Sequence, residues 1–581
     1  MDKNGYGPLQ HINSACEKDV NVVTSPLAEK AMKVVIPELS VTEVLFQAID
    51  MNYDVIKNRN WVIDTNTGIS YKFRDIKPVT RKIASALTRL GFKQGDVLFY
   101  VAYDAALIYL VNIGVWLCGG AIRGCYQKDR QEMYTIRMRE VSARFVLCDL
   151  ETAAVVKSAA DQLEWDVTFL SIGGEVEGVL SIEELIKNED CSVFPEEVKV
   201  NSKEDTLIIL NTSGSTGSPK GVIHTHYNTV AYFLNKGMLK KLESATSPSW
   251  MATFGNYFSS LIYMSLGCIF QGASLHNVSK FEIKLFVESL LKHKPQIVLL
   301  YPYALHTFLQ SAEIDENDFS FIKSISLLGS ALYYSTAKTL EDKLPHVKLA
   351  TSYGVTEALS VATTKFTPPP VIRDAENEGI VAGIKYKKYQ GELHLTSGIL
   401  APREKAKIVD PSTGLSLGRN EKGELLIKSS CFMKGYLRGN KETDVSTGID
   451  ENGWFATGDL AFFDEDGWLY VVGRSRFTFK YNERWVSPSD IEAIILSHPA
   501  VVSAVVVGVP NLQTTSSAKA FVVLKPGSEV TEEEIKMHVA GQTEIHKHLH
   551  GGVEFLDSMP KTPSGKLDRS ALQKRAKKIG N

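Results

Sequence analysis

The sequence predicts an α/β protein, built as one large N-terminal body followed by a small α+β unit. Three observations carry the prediction. From Leu207 onward, short apolar runs alternate with helical patterns, as parallel strands covered by helices do. Past Arg476 the pattern changes to short strands set between capped helices. The chain's 581 residues also exceed a single core, because ~150 residues per domain gives roughly four units.

In chain order, residues 1–39 read as an extension or surface-wrapped segment. The longest apolar stretch, residues 108–122, is interrupted by Asn112 and Gly119-Gly120, which is too broken for a membrane-spanning helix. Residues 207–210 read as a buried strand that runs directly into a Gly/Ser/Thr loop. Residues 297–300 and 324–328 read as further strands, and 335–344 as a helix. The turn at Asp464–Gly467 and the basic Arg474-Ser475-Arg476 mark a boundary near Arg476. Beyond it, Ser487-Pro488 fits an N-cap followed by Pro at the first helical position. Ile491, Ile494 and Ile495 share one helix face. Residues 501–509 and 518–524 read as strands, and Thr531 with Glu534 fits a capping box.

Composition excludes several function classes. Hydrophobic residues make up 44% and charged residues 23%, as in an ordinary globular chain. A net charge of -3, from 64 basic and 67 acidic residues, argues against a polybasic nucleic-acid surface. Seven scattered cysteines without a CxxC pair read as reduced thiols. The first residues lack an apolar secretory region, and Ile579-Gly580-Asn581 is not a peroxisomal address. Cytoplasm is therefore the expected compartment.

The most informative segment is Thr212-Ser213-Gly214-Ser215-Thr216-Gly217-Ser218-Pro219-Lys220-Gly221. Its glycines let backbone amides converge without a Cβ in the way. Its hydroxyls add donors, and Lys220 adds a cation. Such a loop after a buried strand suits a polyphosphate. The spacing differs from a Walker A loop, where Gly-Lys-Ser/Thr would stand and Pro219 does not fit.

This loop resembles that of the adenylate-forming superfamily of acyl- and aryl-CoA synthetases, beetle luciferases and nonribosomal adenylation domains. Further motifs follow in the family's order: Tyr353-Gly354-Val355-Thr356-Glu357, Gly453-Trp454-Phe455-Ala456-Thr457-Gly458-Asp459, Gly473-Arg474, and Pro560-Lys561-Thr562-Pro563-Ser564-Gly565-Lys566. The likeness runs from about Ser40 to Lys577. It looks strongest toward the luciferase and 4-coumarate-CoA-ligase-like branch. The resemblance implies an adenylation body over 40–473, made of two α/β subdomains plus a small β-barrel, and a mobile α+β lid over 474–581. It also implies ATP, Mg²⁺ and coenzyme A, with a small carboxylic acid as substrate.

The resemblance implies roles residue by residue. Ser213, Ser215, Thr216 and Lys220 would hold the β,γ-phosphates, with Thr212, Gly214 and Gly217 completing the loop. Thr356 would donate to the α-phosphate, and Glu357 would be a hard oxygen ligand for Mg²⁺. Gly329-Ser330-Ala331 would line the adenine face, and Tyr353 beside Gly354 would stack on the base. Asp459 would accept both ribose hydroxyls. Arg474 would contact ribose or phosphates. Lys566 would bridge carboxylate and α-phosphate from a mobile loop. Arg476 would be the hinge.

Two departures matter. Glu483 stands where the family's loop beside the thiol tunnel, here from Lys480, nearly always has Gly. Its bulk and charge oppose an approaching thiolate. The alternatives are an adenylating enzyme whose acceptor is a carrier-protein thiol or another nucleophile rather than coenzyme A, and a nucleotide- or acyl-binding protein that has lost turnover. The family's Phe-His segment is replaced by Met251-Ala252-Thr253-Phe254-Gly255-Asn256-Tyr257-Phe258, which weighs against luciferase-type oxygenation. It also lacks the Asp that holds an amino-acid substrate. Tyr257, Phe258, Ser330, Val355 and Leu359 are the pocket candidates, and an apolar or aromatic acid is favoured. His546, His548 and His550 read as a solvated turn rather than a metal site, and His226 as structural.

Overall fold

The computed structural model describes residues 21–579, except 104–105, 213–219, 243–247, 279–280, 331, 366–369, 390, 438–447, 483, 512 and 563–565. It is a mixed α/β molecule with a large N-terminal and a small C-terminal domain.

Two sheets dominate the large domain. The first has eight strands. At its centre Ala121–Gly124, Val97–Val101, Phe145–Cys148 and Thr168–Ser171 run parallel. Toward one edge come Thr206–Asn211, then antiparallel Gly221–Thr225 and Gly435–Leu437. The second sheet has nine strands. Its core of Asn60–Asp64, Ser274–Asn277, Ser249–Ala252, Ile297–Leu300, Ser324–Leu328 and Lys348–Val355 is parallel. Ile297–Leu300 is a continuous apolar run, whereas Ser324–Leu328 alternates serine with apolar residues over its first four positions. Helix Leu107–Leu117 is buried all along its length to Trp116, which explains its apolar sequence. Among the described residues, no helix is long and apolar enough to cross a membrane.

Where the resemblance implies a small barrel, Lys405–Val409, Gly423–Lys428, Phe455–Phe463 and Leu469–Arg474 form an antiparallel sheet. The short strand Val23–Thr24 is its fifth member. Part of the expected N-terminal extension is thus a working sheet edge. Arg403 also donates to the carbonyl of Ala31 at 2.7 Å, fastening the helix Ala28–Met32.

The small domain packs its own core of Phe479, Val486, Ile491, Ile495, Val506, Val522 and Ile535. Its two long strands, Val501–Asn511 and Thr515–Leu524, extend beyond the expected limits because they pair through a tight turn at Asn511 and Thr515. Helix Pro488–Ser497 starts with Ser487 as N-cap and Pro at its first position. Thr531 and Glu534 form the capping box of helix Glu532–Ala540. His548 and His550 bond backbone carbonyls at 3.2 and 2.9 Å. The segment they share with His546 is therefore half-packed rather than fully solvated. Among the described residues, the side chains that do gather with ligand-like geometry are Glu392, His394 and Asp490.

Candidate active site

The phosphate-loop candidate is closed at its base. Leu207–Leu210 are buried, and Gly221–Thr225 returns antiparallel beside them. Thr212 donates its N–H to the Lys220 carbonyl at 3.0 Å, and Lys220 returns its N–H to the Thr212 hydroxyl at 3.2 Å. The loop's ends are thereby pinned. Ser213, Gly214, Ser215, Thr216 and Gly217 lie outside the described residues, as do Ala331 and Glu483 and the side chain of Lys480.

Lys220 and Glu357 meet at Tyr436. The Lys220 ammonium lies 4.8 Å from the centre of the Tyr436 ring, and the Tyr436 hydroxyl donates to Glu357 Oε1 at 2.7 Å. Strand pairing sets this up, because Val222 is opposite Tyr436. Burial and the neighbouring carboxylate push the Tyr436 phenol well up, so it stays a donor. Tyr436 was not among the sequence candidates. The only signal for it is its place on a three-residue strand far along the chain.

Residues 353–357 sit at the end of strand Lys348–Val355. A register shift falls between Tyr353 and Gly354. A Cβ on Gly354 would lie 1.9 Å from the Leu359 carbonyl oxygen, so only Gly fits. His224 Nε2 donates to the Thr356 carbonyl at 2.8 Å, and the Met433 N–H to that of Glu357 at 2.7 Å. Thr356 and Glu357 are thus held by their backbone, and the Glu357 side chain keeps one oxygen beyond the one bonded to Tyr436. Gly329, with φ of 88°, packs against the Tyr301 ring. Ser330 beside it is exposed and does not line the cavity described below.

Asp459 is the buried hub. It accepts from the Tyr353 hydroxyl at 2.6 Å and pairs with Arg474 Nε at 2.8 Å. Tyr353 therefore meets Asp459 through its hydroxyl, a contact the sequence did not indicate. Burial raises the Asp459 carboxyl, and Arg474, Tyr353 and Lys566 oppose that rise. Lys566 comes from the small domain. Its Cε lies 3.7 Å from where a Cβ on Gly329 would stand, so the lysine reaches across onto the large domain. Burial, and then Arg474, lower its ammonium's pKa, while Asp459 opposes them. The loop is anchored by Lys561, whose ammonium sits 4.9 Å from the Tyr303 ring centre. Arg476 packs over Phe477 and lines the same space.

That space is a cavity of about 1450 Å³ lined by Tyr257, Phe258, Val355 and Leu359 of the pocket candidates, together with Gly329, Thr356 and Lys566. The Tyr257 and Phe258 rings lie 4.4 Å apart, and Phe258 meets Tyr301 edge-on at 6.1 Å.

The donor set fits a magnesium nucleotide. Lys220, Lys566 and Arg474 supply positive charge, and Glu357 has an Oε2 without a bond among the described residues.

A sequence profile of AMP-binding enzymes matches residues 54–437, and one of the AMP-binding enzyme C-terminal domain matches 490–566. The chain is 29% identical over 529 residues to 4-coumarate–CoA ligase-like 2 of Arabidopsis thaliana, covering 88% of this chain and 87% of the relative. It is 28% identical over 550 residues to luciferin 4-monooxygenase of Photuris pensylvanica, covering 92% and 95%. Among solved structures it is similar to the anthranilate CoA ligase AuaEII in complex with anthranoyl-AMP. There the TM-score is 0.80 at 22% identity, over 95% of this chain and 99% of that one. It is also similar to the amide bond synthetase McbA of Marinactinospora thermotolerans, with a TM-score of 0.74 at 20% identity over 92% and 99%. At these identities the structural likeness speaks for the fold.

Proposed function

Since this chain belongs to the AMP-binding enzyme family, we propose that it activates a carboxylic acid as an acyl-adenylate and then passes the acyl group to the thiol of coenzyme A. In the first step a carboxylate oxygen bonds to the α-phosphorus of ATP, and the bond from that phosphorus to the bridging oxygen breaks, releasing pyrophosphate. In the second, the thiolate bonds to the acyl carbon and AMP leaves.

The first step brings two anions together, so catalysis rests on placement and positive charge. Lys220 and the loop from Thr212 hold the outer phosphates. Thr356 offers its hydroxyl at the α-phosphate, and Asp459 takes the ribose hydroxyls with Arg474 beside it. Glu357 would hold Mg²⁺, which supplies charge neutralisation on the phosphates. The observation that carries the proposal is the reach of Lys566 from the small domain onto Gly329, beside the Asp459–Arg474 pair. We take residues 474–581 as the lid that delivers it, turning about Arg476. Lys566→Ala is expected to abolish pyrophosphate release while sparing transfer from a preformed acyl-adenylate. Undiminished pyrophosphate release would overturn the assignment.

Glu483 supports a second reading in which the acceptor is not coenzyme A, and one protein of the same fold is named an amide bond synthetase. Pyrophosphate release over a panel of acids, with and without coenzyme A, separates the two. Release without thioester favours the second.

A further inference from the structure

The cavity does not stop at the pocket candidates. It descends along one face of the nine-stranded sheet. Ser324, Ser326 and Leu328 share one face of a strand and all line it, and Leu327 joins them toward Gly329. Trp250, Ile297 and Ser324 are in register across three parallel strands and form its lower row. Gly329, at the reaction end, lies beyond the opposite end of the strand. At ~3.3 Å per residue the descent from Gly329 to Ser324 is about 16 Å.

The lower end of this largely apolar channel carries unpaired positive charge. Lys365 lines it, with its ammonium 4.6 Å from the centre of the Trp250 ring. Lys236 lines it too, its ammonium 3.6 Å from the Tyr232 ring centre. Among the described residues, no carboxylate pairs with either lysine. Glu404 lies within electrostatic range of Lys236; burial pushes its carboxyl up, Ser429 and Lys236 oppose that rise, and one of its oxygens accepts from Ser429 at 2.9 Å. Trp250 is 7% exposed, and its indole N–H has no partner. Burial, and then Lys236, lower the Lys365 ammonium to about 8.

An ammonium inside an apolar channel is costly unless it is paired. Aromatic faces offset only part of that cost. The two lysines are donors only, and Lys365 has no carboxylate beside it among the described residues, so this end of the cavity offers positive charge to an acceptor with negative charge. We propose that this end of the cavity binds a second carboxylate, so that the acid this protein activates is a dicarboxylic acid with its two carboxylates separated by an apolar chain. One carboxylate would lie at Lys566 and the other at Lys365 and Lys236. The inference rests on the acid-activation reading above. It narrows the favoured apolar acid to one whose apolar stretch ends in charge.

The test uses two probes of matched length, dodecanedioate and dodecanoate. Each is measured by calorimetric binding and by ATP–pyrophosphate exchange on the full chain. Wild-type protein should bind the diacid at least about ten-fold more tightly than the monoacid, as expected for a buried charge pair. Lys365→Met should remove that preference without weakening monoacid binding. Lys236→Met, at a half-buried position, should reduce the preference and serves if the first variant melts early. Equal affinity for the two acids in the wild type would overturn the inference, as would a preference unmoved by both variants. Exchange that runs equally well with the monoacid would also sink it while leaving the activation reading intact. Lysine-dependent diacid binding without exchange would instead uphold the site and defeat the activation reading.

Discussion

Tyr436 shows how much a single side chain can organise. Its hydroxyl fixes one oxygen of Glu357 at 2.7 Å and its ring faces the Lys220 ammonium, so it orients a would-be metal ligand and a phosphate-binding cation together. A hydrogen bond to a charged group contributes about 1.5–3 kcal/mol. Tyr436→Phe should therefore raise the Mg²⁺ needed for half-maximal pyrophosphate release by about ten-fold with little loss of folding. An unchanged Mg²⁺ dependence would show that Glu357 needs no such holder. His226 acts on stability instead. It is fully buried, accepts from the Val41 N–H at 3.2 Å, and burial lowers its pKa to about 3. His224 is lowered by burial to about 4, partly opposed by its bond to Thr356. The unfolded chain protonates both near 6.5, while the folded chain keeps them neutral. Stability is thus complete above about pH 6.5 and is lost as pH falls toward 4, by about 1.4 kcal/mol per pH unit for each histidine. His226→Asn keeps an acceptor for Val41 and removes one titration. It should flatten the acid side of a plot of Tm against pH, and an acid limb that stays as steep would refute the attribution.

At the scale of elements, the turn after Lys348–Val355 is the tightest constraint. Gly354→Ala would drive a methyl group into the Leu359 carbonyl at a nominal 1.9 Å, and Leu359 itself already has φ of 63°. The strand end must shift, carrying Thr356 with it. A displacement on the order of 1 Å costs about a hundred-fold in rate. Pyrophosphate release should fall to that extent, with Tm reduced as well, and wild-type rates would show that the turn relaxes freely. Such elements were readable in the sequence where the signal is local. The runs Ile297–Leu300 and Ser324–Leu328 fall where the apolar pattern puts them. The helix expected over 335–344 is Tyr334–Lys343. Caps at Ser487-Pro488 and at Thr531 with Glu534 depend on neighbours within a turn. What stayed hidden depends on distant pairing. Gly435–Leu437 and Val23–Thr24 are too short to carry a period, and each is a strand only because a remote edge accepts it. Lys365 belongs to no motif, and only the folded sheet sets it beside Trp250. The motif residues could be named because they cluster in short runs, whereas Tyr436 and Tyr301 could not.

At the scale of the whole molecule, the two domains meet through buried charge. Tyr333 of the large domain donates to Glu492 at 2.9 Å, and Glu492 also holds Arg569. Lys547 bonds Glu392 of the large domain and reaches Asp490 at 3.2 Å. Burial, and then the neighbouring Asp490, raise the Glu392 carboxyl, while Lys547, which both acids share, opposes that rise. Lys547→Met would leave the acids facing each other. It should weaken docking of the small domain and slow pyrophosphate release by roughly ten-fold, because partners of a buried charge left unpaired are costly. Transfer from a preformed acyl-adenylate should be unaffected. Equal slowing of both half-reactions would mean that the contact supports folding rather than docking.

The segment from Val23 onward has one further consequence. Leu27, Ala31 and Val34 line the far side of the cavity, held there by the strand pairing with Ala406 and by Arg403. This stretch is a wall. With it seated, the cavity is bounded on that side by apolar side chains that a guest must pack against. With it drawn, the cavity loses that wall, and Lys405–Val409 loses the chain that shields its edge from other strands.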